Sequence, residues 1–438
     1  MSETPSAPVQ PSVSTKQVAA AIIGNALEFY DFTVYTVFAV YIGQAFFPSK
    51  TPFIGLMLSL ATFGVGFVPR PLGALLIGRL ADRVGRRPAM LLSFLLMGVA
   101  IIGLACTPGY ERIGIWAPVL AVVFRLAQGF ALGGELGPAM AFLIETAPPA
   151  KRGLIGAWQS AGQSVASLVG GLVGIGLSAV LTTHMHDVYG WRIAFGLGAL
   201  VLPFGLYIRR GLPETLHHPE PPKGEIGAHL GADHRLIVGL ALGIILTFTT
   251  ITYVRLFITT YAITTLKLSA SVSYGASVVN GFVGIVFTLI GGALSDRFGR
   301  RPVMMIPLGI FLVVVLPIFF TMVRMHDAVS LWIGTGLIGA LTSLSNGAAL
   351  IFLTEGLRKE MRSAVLGTTY AIAVAVFGGS TQPLIAWLTE TTHQPMSPAY
   401  YMLLTTAIGL AAMSMAPETA PHVAHRRMIA KTGSPSVA

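Results

Sequence analysis

The stretch GRLADRVGRRPAM, residues 78–90, returns 214 residues later as GALSDRFGRRPVM, residues 292–304. Nine of the thirteen positions are identical. Each copy lies between two apolar stretches of about 20 residues, the length a helix needs to cross a bilayer. A polar segment this short must turn sharply to send the chain back. Gly85 and Gly299 suit such a bend, and Pro88 and Pro302 suit the first turn of the following helix. Asp82 and Asp296 are expected to face helix N-termini or nearby arginines, Arg86 and Arg300 among them. Pairs of this kind latch one conformation and release in another; the same arginines also serve simply to anchor the loop.

Outward from these loops the chain reads as one long alternation. Apolar stretches fall near 17–47, 53–78, 88–107, 115–145, 153–183, 191–210, 235–265, 272–293, 302–323, 329–354, 363–389 and 399–416. Two further echoes mark the same period. Pro-Glu-Thr follows the sixth span at 213–215 and the twelfth at 417–419. Glu145 precedes Arg152 after the fourth span, and Glu355 precedes Arg362 after the tenth. The predicted organisation is a polar tail (1–15), a six-helix bundle (16–210), a polar linker (211–234), a second six-helix bundle (235–418) and a second tail (419–438). The fold class expected is an all-α membrane protein of twelve helices in two pseudo-symmetric halves.

Composition supports lipid as the main solvent. Hydrophobic residues make up 54% of the chain and charged residues 11%, against about 25% in soluble domains; mean hydropathy is +0.74. Fifty glycines suit close helix packing. The net charge of +10 is not a nucleic-acid signal once its placement is read. With both termini inside, 20 Lys and Arg fall in inner segments and five (Lys50, Arg112, Arg192, Lys267 and Arg324) in outer loops. That asymmetry orients the chain with cytoplasmic termini, and the basic loops suit contact with anionic membrane lipid. The single cysteine, Cys106, excludes an internal disulfide and a Cys-based metal site, and is expected to pack between helices. His184 and His186 are expected to be solvated loop residues. No Ser-His-Asp arrangement, phosphate loop or HExxH motif points to an enzyme.

Ionisable residues within spans cost roughly 2.5–3.5 kcal/mol on insertion scales and are functional candidates by default. They are Glu28, Asp31, Arg70, Arg125, Glu135 and Arg255. Asn25, Glu28, Asp31 and Tyr35 share a face of the first span, and Arg125, Gln128 and Glu135 a face of the fourth. Arg125 and Glu135 stand about 15 Å apart along their helix. Matching depths pair Asp31 with Arg125, and Arg70 with Glu135. A buried carboxylate held by an arginine can exchange that partner for a proton when the arginine moves. Arg255 has no acid at matching depth in its half; it either snorkels outward, pairs across to the first span, or meets a visiting carboxylate, which suits an unpaired buried arginine. Asn25, Tyr35, Gln128, Tyr253 and Asn346 are candidate substrate contacts with Arg255, and Gln159 and Gln163 either contact a polar ligand or tie helices together.

The repeated G-x-L-x-D-R-x-G-R-R loop with twelve spans resembles the major facilitator superfamily over residues 16–418. Residues 24–32 (GNALEFYDF), Arg70 to Ala74 (RPLGA), and Arg125 to Phe130 with Glu135 to Gly137 resemble its metabolite:proton symporter group. Residues 157–163 (AWQSAGQ) and the region 261–270 are similar to citrate and tricarballylate symporters. The resemblance implies a monomeric proton-coupled importer of a small organic anion in the bacterial inner membrane, working by alternating access without metal or cofactor. It implies a coupling role for the first-span acid, Asp31 or Glu28, with Arg125. Symport of a zwitterion such as betaine or proline is the main alternative; a transporter-like sensor is another. A sugar porter would want a glutamine-rich seventh span, and a drug antiporter a Gly-Pro pair in the fifth.

Overall fold

A computed structural model describes residues 26, 29–133, 148–200, 203, 232–355 and 370–420. Among them there are helices and connecting turns but no strand. Every expected apolar stretch carries a helix. We number them α1 (29–46, with a turn at Phe38), α2 (Pro52–Val65 continuing as Arg70–Val84), α3 (Arg86–Cys106), α4 (Trp116–Gly133), α5 (Arg152–Val180) and α6 (Trp191–Leu200). The second half holds α7 (Ala232–Thr264), α8 (Ala270–Phe298), α9 (Arg300–Met325), α10 (Ala328–Glu355), α11 (Tyr370–Thr392) and α12 (Ser397–Met415). Nine helices among the described residues are long and apolar enough to cross a membrane. Segments α1, α3 and α6 fall short of that combined test over their described lengths.

Both repeated loops turn as their glycines require. Gly85 has φ +124° and Gly299 φ +102°, values an L side chain rarely adopts. Each glycine is followed directly by a helix whose third residue is the repeat's proline, where a missing N–H costs nothing. The two loops lie at the same end of the molecule. Gly66 and Arg70 of α2 abut Gly129 and Gly133 of α4, so these helices run parallel; Gly43 of α1 abuts Gly55 at the start of α2 and Phe38 packs on His186 beyond the end of α5, so α2 runs toward the α5 start that touches Asp296.

Helices in lipid gain little from burying apolar surface against each other, so backbone approach and hydrogen bonds decide which pairs form. Glycine sets two seams between the halves. Along α5 and α8, Gly153 faces Gly292, Leu168 faces Gly281, and Gly171 faces Tyr274 and Ser277. Between α2 and α11, Gly64 meets Gly379; a Cβ on Gly64 would strike the Gly379 carbonyl. A third link is the Thr260 hydroxyl of α7, which donates to the Thr36 carbonyl of α1 at 2.9 Å. The lipid side is apolar: Leu75, Val99, Val123, Phe282, Val313 and Leu404 are all exposed.

One sequence expectation needs correcting. Cys106 ends α3 exposed rather than packed between helices, because its position falls on the outward stripe with Ile102 and Val99.

Candidate functional site

The polar interior begins with Asp31. Its carboxylate is 1% exposed and accepts from Arg125 Nη1 at 2.9 Å and from Gln128 Nε2 at 3.3 Å. Arg125 and Gln128 stand one turn apart on α4, so both reach the same carboxylate. The contact to Arg125 is single, not a fork, and Arg125 Nε and Nη2 have no hydrogen-bond partner among the described residues. The guanidinium instead lies 3.8 Å above the Tyr35 ring, a cation–π contact. Tyr35 is fully buried and donates its hydroxyl to the Ser59 carbonyl of α2, so it props Arg125 instead of facing an open cavity.

Arg70 takes up the next position in the same layer. Its guanidinium sits 3.9 Å from the Phe67 centroid and 5.0 Å from that of Phe32, the neighbour of Asp31. It also interacts electrostatically with the Tyr253 side chain of α7, joining the halves. Tyr253 packs edge-on against Phe67, and its carbonyl accepts from Gln382 of α11 at 3.3 Å. Beside it α11 widens into a π-helical turn, Val374–Gly378; Gly378 leaves just enough room for the Tyr253 ring.

Arg255 lies two residues beyond Tyr253, about 3 Å along the same helix. It is held by neutral groups. Nε donates to Asn280 Oδ1 at 2.6 Å and Nη1 to Ser343 Oγ at 2.8 Å. Longer contacts of 3.4 Å reach Thr342 Oγ1 and the Asn280 carbonyl. Among the described residues its partners are neutral, and it is not unpartnered as the sequence suggests: α8 and α10 supply a polar cradle. Gly284 of α8 separates Arg255 from Ser164 of α5, which places this cation at the seam between halves.

The remaining expected residues divide. Gln159 is buried in α5, and Gln163 is half-buried one turn further. By helix spacing Gln163 shares a face with Gly170, which abuts Thr33 of α1. Asn346 is half-buried on α10, one turn beyond the cradle. Asn25, Glu28, Glu135, Glu145 and Arg362 lie outside the described residues, as do the side chains of Asp82 and Arg86. The expected Arg70–Glu135 pair therefore stays an expectation.

At the end carrying the repeated loops, Asp296 caps α5 across the seam, accepting from the N–H groups of Gly153 at 2.7 Å and Leu154 at 2.9 Å. Arg300 Nη1 donates to Asp296 at 2.7 Å while Nε and Nη2 reach Glu355 at 3.1 and 3.2 Å. Glu418, from the second Pro-Glu-Thr echo, accepts from the Arg300 and Arg301 N–H groups that start α9, and Thr419 donates to Glu355. Arg152 opens α5 beside this cluster.

At the opposite end, the solvated histidine expectation fails for His186. It is 3% exposed and lies in the turn between α5 and α6. Its Nε2 hydrogen-bonds the Tyr274 hydroxyl of α8 at 3.0 Å, and Nδ1 the Asp187 carboxylate at 3.2 Å. Phe38 and Tyr41 of α1 pack on the ring. The sequence gives no sign of this, since the partner is 88 residues away. Both ends of the α5–α8 seam are thus tied by polar contacts.

Buried charge in the seam of two repeated bundles is the arrangement of a solute carrier, and comparison with known proteins agrees. The citrate-proton symporter of Salmonella typhi is 34% identical over 396 residues, spanning 90% of this chain and 91% of its own. The proline/betaine transporter of Escherichia coli K12 is 31% identical, spanning 90% and 82%. The inward-open xylose transporter XylE of E. coli superposes with a TM-score of 0.75 at 16% identity, over 92% of this chain and 96% of that one, which supports the fold alone. The family model for the Major Facilitator Superfamily matches residues 21–383. With its repeated loops, glycine seams and central arginines accounted for, this integral membrane protein belongs to the Major Facilitator Superfamily.

Proposed function

We propose that the chain imports a small organic anion together with a proton, the anion being a di- or tricarboxylate of the citrate and tricarballylate class. The observation that carries the reading is the charge of the central layer. Arg70, Arg125 and Arg255 lie within it, and Asp31 is the one carboxylate among the described residues there. A low-dielectric site with surplus cations favours an anionic guest. Arg255 is the proposed substrate contact, with Asn280, Ser343, Gln159, Gln163 and Asn346 as neutral partners. Asp31 is the proposed proton site, released from or returned to Arg125 as the halves rock; Glu28 is second in line. The citrate-proton symporter names of the relatives point the same way.

A zwitterion such as betaine or proline, suggested by other relatives, wants free aromatic faces around its ammonium. Here the Phe67 and Tyr35 faces are already covered by Arg70 and Arg125. Asp296, Arg300 and Glu355 are proposed as the gate at the repeated-loop end, with Asp82 and Arg86 as their first-half counterparts. We place that end on the cytoplasmic side of a bacterial inner membrane, with the bundles at 16–210 and 235–418 in a single monomer.

The test is uptake of labelled citrate and tricarballylate into proteoliposomes under an imposed pH gradient, beside equilibrium exchange. Each pH unit of gradient drives about tenfold accumulation per proton. The Asp31→Asn variant should lose uphill uptake and keep exchange. Uphill uptake that survives in this variant refutes the Asp31 assignment, and uphill uptake of betaine but not of carboxylates refutes the substrate class.

A further inference from the structure

Gln128 was expected to line the substrate site, yet the fold turns it toward Asp31 and closes it off. Its side chain is fully buried, with Nε2 3.3 Å from Asp31 Oδ1. Its Oε1 has no hydrogen-bond partner among the described residues. Next to it, Gly129 is pressed against the Gly66 carbonyl of α2, which fixes the α4 backbone at this point. A buried amide oxygen left without a donor is a persistent cost, and a native fold rarely keeps one without a use.

We infer that Gln128 is a positioning residue for proton coupling, holding Asp31 in place in both of its protonation states by turning its amide over. This rests on the reading of Asp31 as the proton site.

In the carboxylate state Nε2 donates to Oδ1, and the amide orientation is the one that an ionised acid demands. When a proton from solvent settles on Oδ1, the new O–H needs an acceptor and the N–H group no longer has one. A half-turn about the terminal amide torsion, which is broad and two-fold, brings Oε1 to face Oδ1, and the acid then donates to it. No covalent bond other than O–H forms or breaks. Arg125 keeps its 2.9 Å contact to Oδ2, now against a neutral group, and is easier to draw away. Departure of the proton reverses each step.

The other groups around Asp31 cannot serve in both states. Arg125 from α4 donates only. The hydroxyls of Tyr30 and Tyr35, on α1 itself, are engaged with the Ala194 and Ser59 carbonyls. Arg70 of α2 lies beyond Phe32, and Tyr253 of α7 beyond Phe67. Gln128 alone among these neighbours combines a donor and an acceptor at one position within reach of the carboxylate.

The experiment uses Gln128→Met, similar in size but without amide hydrogen bonding, in proteoliposomes with labelled citrate. An N–H donor stabilises a carboxylate over its acid. The bond lost to the carboxylate is stronger than the neutral bond lost to the protonated acid, so the pH at which gradient-driven uptake falls to half should move up by roughly one unit, the difference between the two. The substrate KM should change less than about twofold, and equilibrium exchange should persist. An unchanged pH profile with less folded protein would make Gln128 a strut. A raised KM with an unchanged profile would return it to the substrate site; either result overturns the inference. Asp31→Asn run in parallel separates the two readings: uphill uptake there removes the proton site itself. A second readout needs no Gln128 variant. Infrared difference spectra of the wild type between acid and neutral pH should show a glutamine amide band moving with the carboxyl band, absent in Asp31→Asn. A carboxyl band that moves alone also overturns the inference.

Discussion

Replacing Arg255 with Gln tests the substrate reading at its centre. Two short bonds, to Asn280 Oδ1 and Ser343 Oγ, fix the guanidinium plane. The contacts at 3.4 Å to Thr342 and the Asn280 carbonyl sit at the edge of hydrogen-bonding range and are exchangeable. A carboxylate that takes their place gains charge-assisted bonds of about 1.5–3 kcal/mol each. Losing one such bond weakens binding by about 10- to 150-fold, and losing a bidentate pair by more. Gln keeps a donor and an acceptor for Asn280 and Ser343, so folding should suffer little. Lys restores the charge without the fork, and affinity should recover only in part. The assay is equilibrium binding of labelled citrate to purified wild type, Arg255→Gln and Arg255→Lys, each normalised to folded protein. The monoamide and diamide analogues of the ligand run as competitors. Wild-type affinity in the Gln variant refutes the reasoning. So does an equal loss for the charged ligand and its neutral diamide, since that would mean lost shape and not lost charge.

Asp296→Asn removes a charge from the α5 N-terminus and from Arg300, so turnover should change several-fold while citrate affinity holds; parallel binding and flux assays check this. Tyr274→Phe deletes the hydroxyl that ties His186 across the seam, worth about 1 kcal/mol, or roughly a fivefold shift toward opening at that end. The shift should appear as faster maleimide labelling of a cysteine placed at Tyr41 in a Cys106→Ser background. Gly379→Leu puts a side chain where α11 meets Gly64 of α2. Transport should fall by more than tenfold with insertion intact, measured as uptake per molecule of folded protein.

The loops at 78–90 and 292–304 announced the fold because their requirements are local. A tight return between two spans needs a glycine at positive φ and tolerates proline just after, and both copies meet that need. The mid-span charges were equally legible, since lipid makes each of them expensive wherever it points. Depth along two helices was enough to pair Asp31 with Arg125, because rise per residue is fixed. Contacts that depend on which helices become neighbours were out of reach of the sequence. Arg255 looked unpaired because its cradle comes from Asn280 and Ser343 on other helices, neutral residues with no charge to mark them. His186 looked solvated because loops usually are, and only the packing of α1 and α8 against the α5–α6 turn buries it beside Tyr274. Gln128 and Tyr35 were placed on the right helix faces, yet what each face meets was settled by the approach of α2 to α4 at Gly66 and Gly129. The sequence alone determined the spans, the repeat and the mid-span charges Asp31, Arg70, Arg125 and Arg255, each marked by the local cost of polarity in lipid. The tertiary structure decided the partners, since a hydrogen bond joins whatever the packed helices bring within 3 Å.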